Sequence, residues 1–357
     1  MAQPYSLQRT VHILLFLFLI VAGLYYAKPF LVPFCFGVLL AMLFLPLSIW
    51  FERKGIPKFL AILLCILLFL GVVVGIIWLI SWQIADLVSQ ADNLQGRIKQ
   101  MITQIEESIR DLLGISPREQ EKFIQKQVES SGNMISRIGF SLRSFVVGFL
   151  LTLVYIFLFL YYRDRIKNFI LKLVPAQQKK NTEVILQDTE KVSQKYLMGL
   201  GLMILCLWIM YGIAFSIVGV KYAILLAVLC GILEIVPYIG NFTGNMLAIL
   251  MVIIQGGGLG MVIGVLITYA VIQFLQSNFL ETLVVGKEVN VNPLFVILGL
   301  VVGQLIWGIP GMVLAIPLLG IVKIFCDHIE PLKPYGYIIG SEKKKRRGFL
   351  GKQKSRV

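Results

Sequence analysis

Apolar residues fall in blocks of about 17–25, the length at which one helix crosses a ~30 Å hydrocarbon core. No other feature constrains the fold as strongly. Full spans read at 11–27, 30–50, 59–83, 144–162, 199–219 and 259–280. Two further apolar tracts, 222–256 and 293–326, are broken midway. Composition agrees: 58% of the 357 residues are hydrophobic and 15% charged, against about half and a quarter in a soluble domain. Mean hydropathy is +0.84. The expected fold is an all-α integral membrane protein with about six full transmembrane helices, two Pro/Gly-broken, re-entrant helical hairpins and an extracytoplasmic helical arm. The first apolar block has a weak basic start and no small-residue cleavage site, so it reads as a span and not as a cleaved leader.

The formal net charge of +14 does not point to nucleic acid. Much of it lies in short stretches beside apolar blocks and in the tail KKKRRGFLGKQKSR, 343–356, as the positive-inside pattern requires. The loop 51–58 carries Arg53, Lys54 and Lys58, and segment 163–195 carries eight basic residues against four acids. Both are expected in the cytoplasm, with the N-terminus and the basic tail. Segment 84–143, balanced at eight basic and eight acidic residues, is then outside. The tail reads as a solvated topological signal, with contact to anionic lipid as the sharper alternative. Expected partners are the lipid bilayer and a transported solute.

Hydrolytic and redox chemistry find little footing. The five cysteines (35, 65, 206, 230, 326) sit inside apolar blocks without a C-x-x-C pair, as small buried hydrophobes do. The two histidines stand near opposite ends, and no metalloprotease, nucleophile-elbow or P-loop motif is present. No catalytic residue, metal or cofactor is expected, and the chain does not read as an enzyme.

The organisation follows: N-terminal transmembrane helices at 1–83; an arm at 84–143; a transmembrane helix and a cytoplasmic amphipathic helix at 144–198; a core with both broken tracts at 199–328; a basic tail at 329–357. In the arm, Ile84, Leu87, Ala91, Leu94, Ile98, Met101, Ile105 and Leu112 keep a seven-residue repeat. That pattern buries a stripe against another helix, either a partner's or the arm's own second helix beginning at the capping box Ser116–Glu119. Segment 164–198 has a helical apolar face and is expected along the membrane surface.

The breaks carry the chemistry. Tract one is interrupted by E-I-V-P-Y-I-G-N, 234–241, and tract two by W-G-I-P-G, 307–311. Each half is about 15 residues, short for a span. Proline removes a backbone donor and glycine permits the reversed backbone that follows. Paired broken segments are the strongest sequence pointer to a transporter site. If tract one enters from outside and tract two from inside, the hairpins meet near the midplane. Two thin crossing helices satisfy the charge rule equally.

Glu234 is the sole Asp, Glu, Lys or Arg between Lys221 and Glu281. An ionised carboxylate at the bilayer centre costs roughly 3 kcal/mol on insertion scales. Taking up a proton avoids that cost, so such a group can exchange H⁺ for a cation; the bland reading is an acid near an aqueous mouth bonding local backbone. Pro237, Tyr238, Gly240 and Asn241 open the backbone beside it. Gln273, Gln276, Asn278 and Glu281 line the end of the next span. Trp307, Gly308, Pro310 and Gly311 form the facing tip.

Taken together, E-I-V-P-Y-I-G (234–240), Q-x-x-x-x-N-F-L (273–280), V-G-K-x-V-x-V-N-P-L (285–294) and G-x-x-x-W-G-I-P-G-M-x-L-A-I-P (303–317) resemble the autoinducer-2 exporter family of bacterial membrane proteins. R-K-G-I-P (53–57) fits as well. The resemblance implies a multi-pass inner-membrane transporter with about eight hydrophobic segments. It implies export of a small signalling furanone in some members and Na⁺(Li⁺)/H⁺ antiport in others. It further implies a homo-oligomer, with five subunits as the suggested number. Glu234 stands where the family often has Asn, which favours ion coupling. The competing readings are a passive channel and a scaffold acting through the arm.

Overall fold

The computed structural model describes residues 7–89, 132–236, 239–278 and 291–341. The arm between its two ends, the tail beyond Ser341, and the predicted site residues Pro237, Tyr238 and Glu281 lie outside the described residues. The helices are α1 (Leu7–Tyr26), α2 (Lys28–Arg53), α3 (Lys58–Ser89), α4 (Gly132–Tyr161), α5 (Arg163–Leu173), α6 (Lys179–Val218), α7 (Ala223–Leu233), α8 (Ile239–Ile254), α9 (Leu259–Leu275), α10 (Pro293–Trp307), α11 (Ile309–His328) and α12 (Lys333–Ile339). The described residues contain no strand, only an isolated bridge between Val291 and Gly340. The protein is an all-α polytopic membrane protein.

Among the described residues six helices are long and apolar enough to cross a membrane: α2, α3, α4, α6, α9 and α11. The sequence count gives α1 in place of α11. The apolar part of α1, Val11–Tyr26, falls among the shorter helices of 10–17 residues, and the second broken tract gains a full-length one. Its break is one residue, Gly308, so α11 starts at Ile309 and runs 20 residues, not about 15. Its apolar part tolerates Pro317 inside the helix.

Large apolar side chains face outward, as they must in hydrocarbon: Phe18, Trp78 and Phe242 are all about 70% exposed. Trp78 and Trp82 stack at one end of α3. At the opposite end of the bundle Lys54 sits 3.8 Å over the Trp50 ring. Lys28 and Trp50, near the two ends of α2, are about 33 Å apart at 1.5 Å per residue. A lysine and a tryptophan at that separation suit the two faces of a bilayer.

Two large apolar cores and a smaller third, around Leu300, Met312 and Ala315, hold the described part of the bundle. One joins α2, α3 and α4 through Ala41, Phe44, Ile62, Cys65, Ile66, Ile156 and Leu160. The other joins α6 to α9 through residues that include Leu207, Tyr211, Phe215, Leu226, Cys230, Ala248, Val252 and Val265. The first is clasped at one end by a bidentate pair. Arg163 donates to both carboxylate oxygens of Glu52, at 2.9 and 2.6 Å. Lys58 donates to Asp164 at 2.9 Å beside it.

Segment 164–198 divides between two helices. α5 is short and amphipathic, with no buried residue, and suits a membrane surface. From Lys179, however, α6 is continuous for 40 residues, about 60 Å. Its buried stripe runs in phase through Ile185, Thr189, Ser193, Tyr196, Gly199, Met203 and Leu207. No glycine or proline interrupts it before Gly199, so the polar first half is collinear with the span and projects from it. There it meets α11: His328 Nε2 lies 3.5 Å from Asp188.

Both broken tracts are helical hairpins. The base of α7–α8 is closed reciprocally: Lys221 N–H donates to Gln255 Oε1 at 3.1 Å, and Gln255 Nε2 donates to the Lys221 carbonyl at 3.0 Å. Gln83 of α3 accepts from the Leu225 N–H at 3.1 Å, satisfying one of the orphan donors at the start of α7. In α10–α11 the two backbones touch. A Cβ on Gly303 would lie 2.5 Å from the Gly311 carbonyl oxygen, and one on Gly311 2.1 Å from that of Gly303.

Candidate functional site

The site forms where α7 stops. Its last residues turn through Glu234, whose N–H bonds the Cys230 carbonyl at 3.1 Å, and Val236, whose N–H bonds that of Leu233 at 3.0 Å. α8 then restarts directly against this turn. A Cβ on Gly240 would lie 1.7 Å from the Leu233 carbonyl oxygen and 2.8 Å from the Glu234 nitrogen. Only glycine lets the two half-helices approach so closely, which is how the sequence keeps an open helix end buried.

Glu234 is 7% exposed. Gln276 Nε2 donates to its Oε1 at 2.7 Å, and Gln276 itself is 2% exposed. Gln276 begins a π-helical turn that extends α9 to Asn278. Such turns widen the helix and recur at functional sites. One turn away, Asn241 Nδ2 donates to Gln273 Oε1, and Gln273 Nε2 donates to Ser277 Oγ at 3.1 Å. The break in tract one is thus tied to α9 by two side-chain bonds.

Three buried acceptors on α8 and α9 have no donor among the described residues: Asn241 Oδ1, Asn245 Oδ1 and Gln276 Oε1. Buried acceptors are normally satisfied. With the Glu234 carboxylate they bring side-chain oxygens from α8, α9 and the break into an apolar bundle. Such a set suits a small cation or a ligand rich in hydroxyl donors.

Of the predicted residues, Glu234, Gly240, Asn241, Gln273 and Gln276 are brought together. Asn278 is exposed, and its amide bonds the Phe274 carbonyl of its own helix at 2.8 Å, so it does not join them. Trp307, Gly308, Pro310 and Gly311 do form a tip, but the tip does not meet the break end-on. Trp307 Nε1 donates to the Leu24 carbonyl at 2.9 Å. Gly308, at φ 70° and ψ −148°, lies where a Cβ would come 3.8 Å from Lys28 Nζ. Hairpin two therefore reaches the junction of α1 and α2, and Val236 of the break packs on its flank, against Leu300, Met312 and Ala315.

Asn245 was missed from the sequence. It stands one turn beyond Asn241 in N-F-T-G-N, and a second asparagine in an apolar tract is the signal that could have found it. Trp208, whose Nε1 donates to the Val228 carbonyl at 3.1 Å, was missed for want of any local pattern. Among the described residues no three His, Cys, Asp or Glu side chains gather as a metal site.

A family model described as AI-2E family transporter matches residues 14–330. Two Bacillus subtilis proteins and one from Borreliella burgdorferi, each named "Putative transport protein", align over most of their length. YrrI is 26% identical over 84% of this chain and 87% of its own. YueF is 27% identical over 90% and 91%. The Borreliella protein is 25% identical over 95% and 92%.

Proposed function

Because the chain belongs to the AI-2E transporter family, and is therefore a multi-pass membrane transporter, we propose that it is a secondary active transporter in which Glu234 exchanges a proton for a monovalent cation. The observation that carries this reading is the buried Glu234–Gln276 pair beside the unsatisfied oxygens of Asn241, Asn245 and Gln276. A carboxyl there is neutral when protonated and can sit in the bundle at little cost. When it loses the proton, a cation held by the same oxygens neutralises it. Either state satisfies the low-dielectric interior, and a bare carboxylate does not. That exclusivity couples the two fluxes.

The amide content of the pocket supports a second reading, export of a small polar solute whose hydroxyls donate to these oxygens. The loop charges support this reading's orientation, with the N- and C-termini on the cytoplasmic side of the bacterial inner membrane. A homo-oligomer is part of this reading. So is a site completed by Pro237, Tyr238 and Glu281.

The test is flux in sealed proteoliposomes with a lumenal pH dye. External Na⁺ or Li⁺ changes lumenal pH with the wild type and not with Glu234→Gln. A wild type that is folded and oriented yet gives no cation-dependent pH change contradicts cation exchange and leaves solute export as the working mechanism.

A further inference from the structure

Where α4 turns into α5 an apolar groove of about 520 Å³ opens on the outer face of the bundle. Its walls come from three helices. Phe34 of α2 packs edge-on against Tyr155 and Phe159 of α4, with ring centroids at 5.6 and 5.2 Å. Ile166 and Phe169 of α5 close one end. Phe169 is 60% exposed, so α5 leaves an aromatic edge uncovered.

The charges around this elbow are distributed unevenly. Arg163 is taken by Glu52, Lys58 by Asp164, and Lys167 lies 3.8 Å from Glu183. Arg165 alone of these lines the groove, and among the described residues no carboxylate pairs with it. An unneutralised guanidinium thus stands at the rim of an aromatic slot, at the level where a membrane-spanning helix gives way to an amphipathic one. A fork of donors at that depth matches a phosphate, and an apolar slot beneath it matches an acyl chain. A free anion would gain nothing from the slot. A basic pocket between helices at a membrane interface is a site for anionic headgroups.

We propose that this groove is a binding site for one anionic phospholipid, its phosphodiester on Arg165 and an acyl chain along Phe34, Tyr155 and Phe159. The site is separate from the Glu234 pocket and does not depend on the transport reading.

The test is native mass spectrometry of the full chain after exchange into detergent with equal phosphatidylglycerol and phosphatidylcholine. The wild type retains phosphatidylglycerol in excess by about fivefold, the ratio one interfacial basic residue supplies. Arg165→Gln brings the two lipids level. Arg165→Lys keeps most of the preference and shows that the fold is intact. Ile166→Trp, which fills the groove, lowers retention of both. A photoreactive phenylalanine at 169 labels lipid. An undiminished preference in Arg165→Gln, or none in the wild type, overturns the proposal. So does displacement of the lipid by millimolar inorganic phosphate, which would mark an anion site. Cross-linking from 169 to a second copy of the chain overturns it too, since the groove would then be a subunit contact.

Discussion

Gln276 Nε2 donates to Glu234 Oε1 at 2.7 Å, with both side chains buried. The bond joins the end of a broken helix to the π-helical turn of α9, so it fixes the one acid between Lys221 and Glu281 against a neighbouring span. Gln276→Leu removes the donor and leaves the acid without that partner. A hydrogen bond to a carboxyl that is neutral in the bundle is worth about 0.5–1.5 kcal/mol. The thermal midpoint in detergent falls accordingly. In Glu234→Leu/Gln276→Leu it falls by less than the sum of the single changes, because the partners couple.

Gly240→Ala places a methyl 1.7 Å from the Leu233 carbonyl oxygen, a backbone atom. The half-helices must part to admit it, at a cost of about 1–3 kcal/mol or more. Transport is lost with the stability. Gly201→Ala has nothing within 4 Å of the added methyl and leaves both unchanged. Paired melting and flux measurements distinguish the positions.

Trp307→Phe keeps an aromatic ring at the hairpin tip and deletes the bond to the Leu24 carbonyl. About 1 kcal/mol of stability is lost. Hydrogen exchange at the α1–α2 junction and the α10–α11 tip accelerates, and exchange at the α2–α3–α4 core does not.

The Lys58 hydrogen bond holds the Asp164 carboxyl below its ordinary value of 3.8. A carboxyl depressed in the folded state adds stability that is fully present above that value and is lost as pH falls through the lowered one. The wild type therefore loses stability below about pH 4 by a component that Asp164→Asn lacks, while near neutral pH the variant is slightly the less stable. Asp164 is largely exposed, so the difference is small and shrinks with added salt. Thermal midpoints across pH, at two ionic strengths, check both features.

The apolar blocks located the spans because hydrocarbon thickness imposes a length that composition alone reveals. Glu234 stood out for the same reason: an acid in such a tract is conspicuous. Gly240 was legible as a breaker. That it must be glycine because the Leu233 carbonyl lies against it needed coordinates. Hairpin two was misjudged since a one-residue break at Gly308 lets α11 run to His328, and a proline at the start of a helix looks the same in sequence as one that ends it. The collinearity of 179–198 with its span was hidden as well. A change from polar to apolar composition looks like a boundary, and only the phase of Ile185, Thr189, Ser193 and Tyr196 shows that the helix continues. The tie between Asn241 and Gln273 joins residues 32 apart, and no local pattern carries it.

The central claim is that the Glu234 carboxyl trades its proton for a cation. Proton release into weakly buffered detergent solution on addition of Na⁺ or Li⁺ tests it most directly. The account predicts release of about one proton per chain by the wild type near the pH at which the carboxyl is protonated, and none by Glu234→Gln of equal thermal stability. Release that is unchanged in Glu234→Gln, or cation binding without release in the wild type, would contradict it.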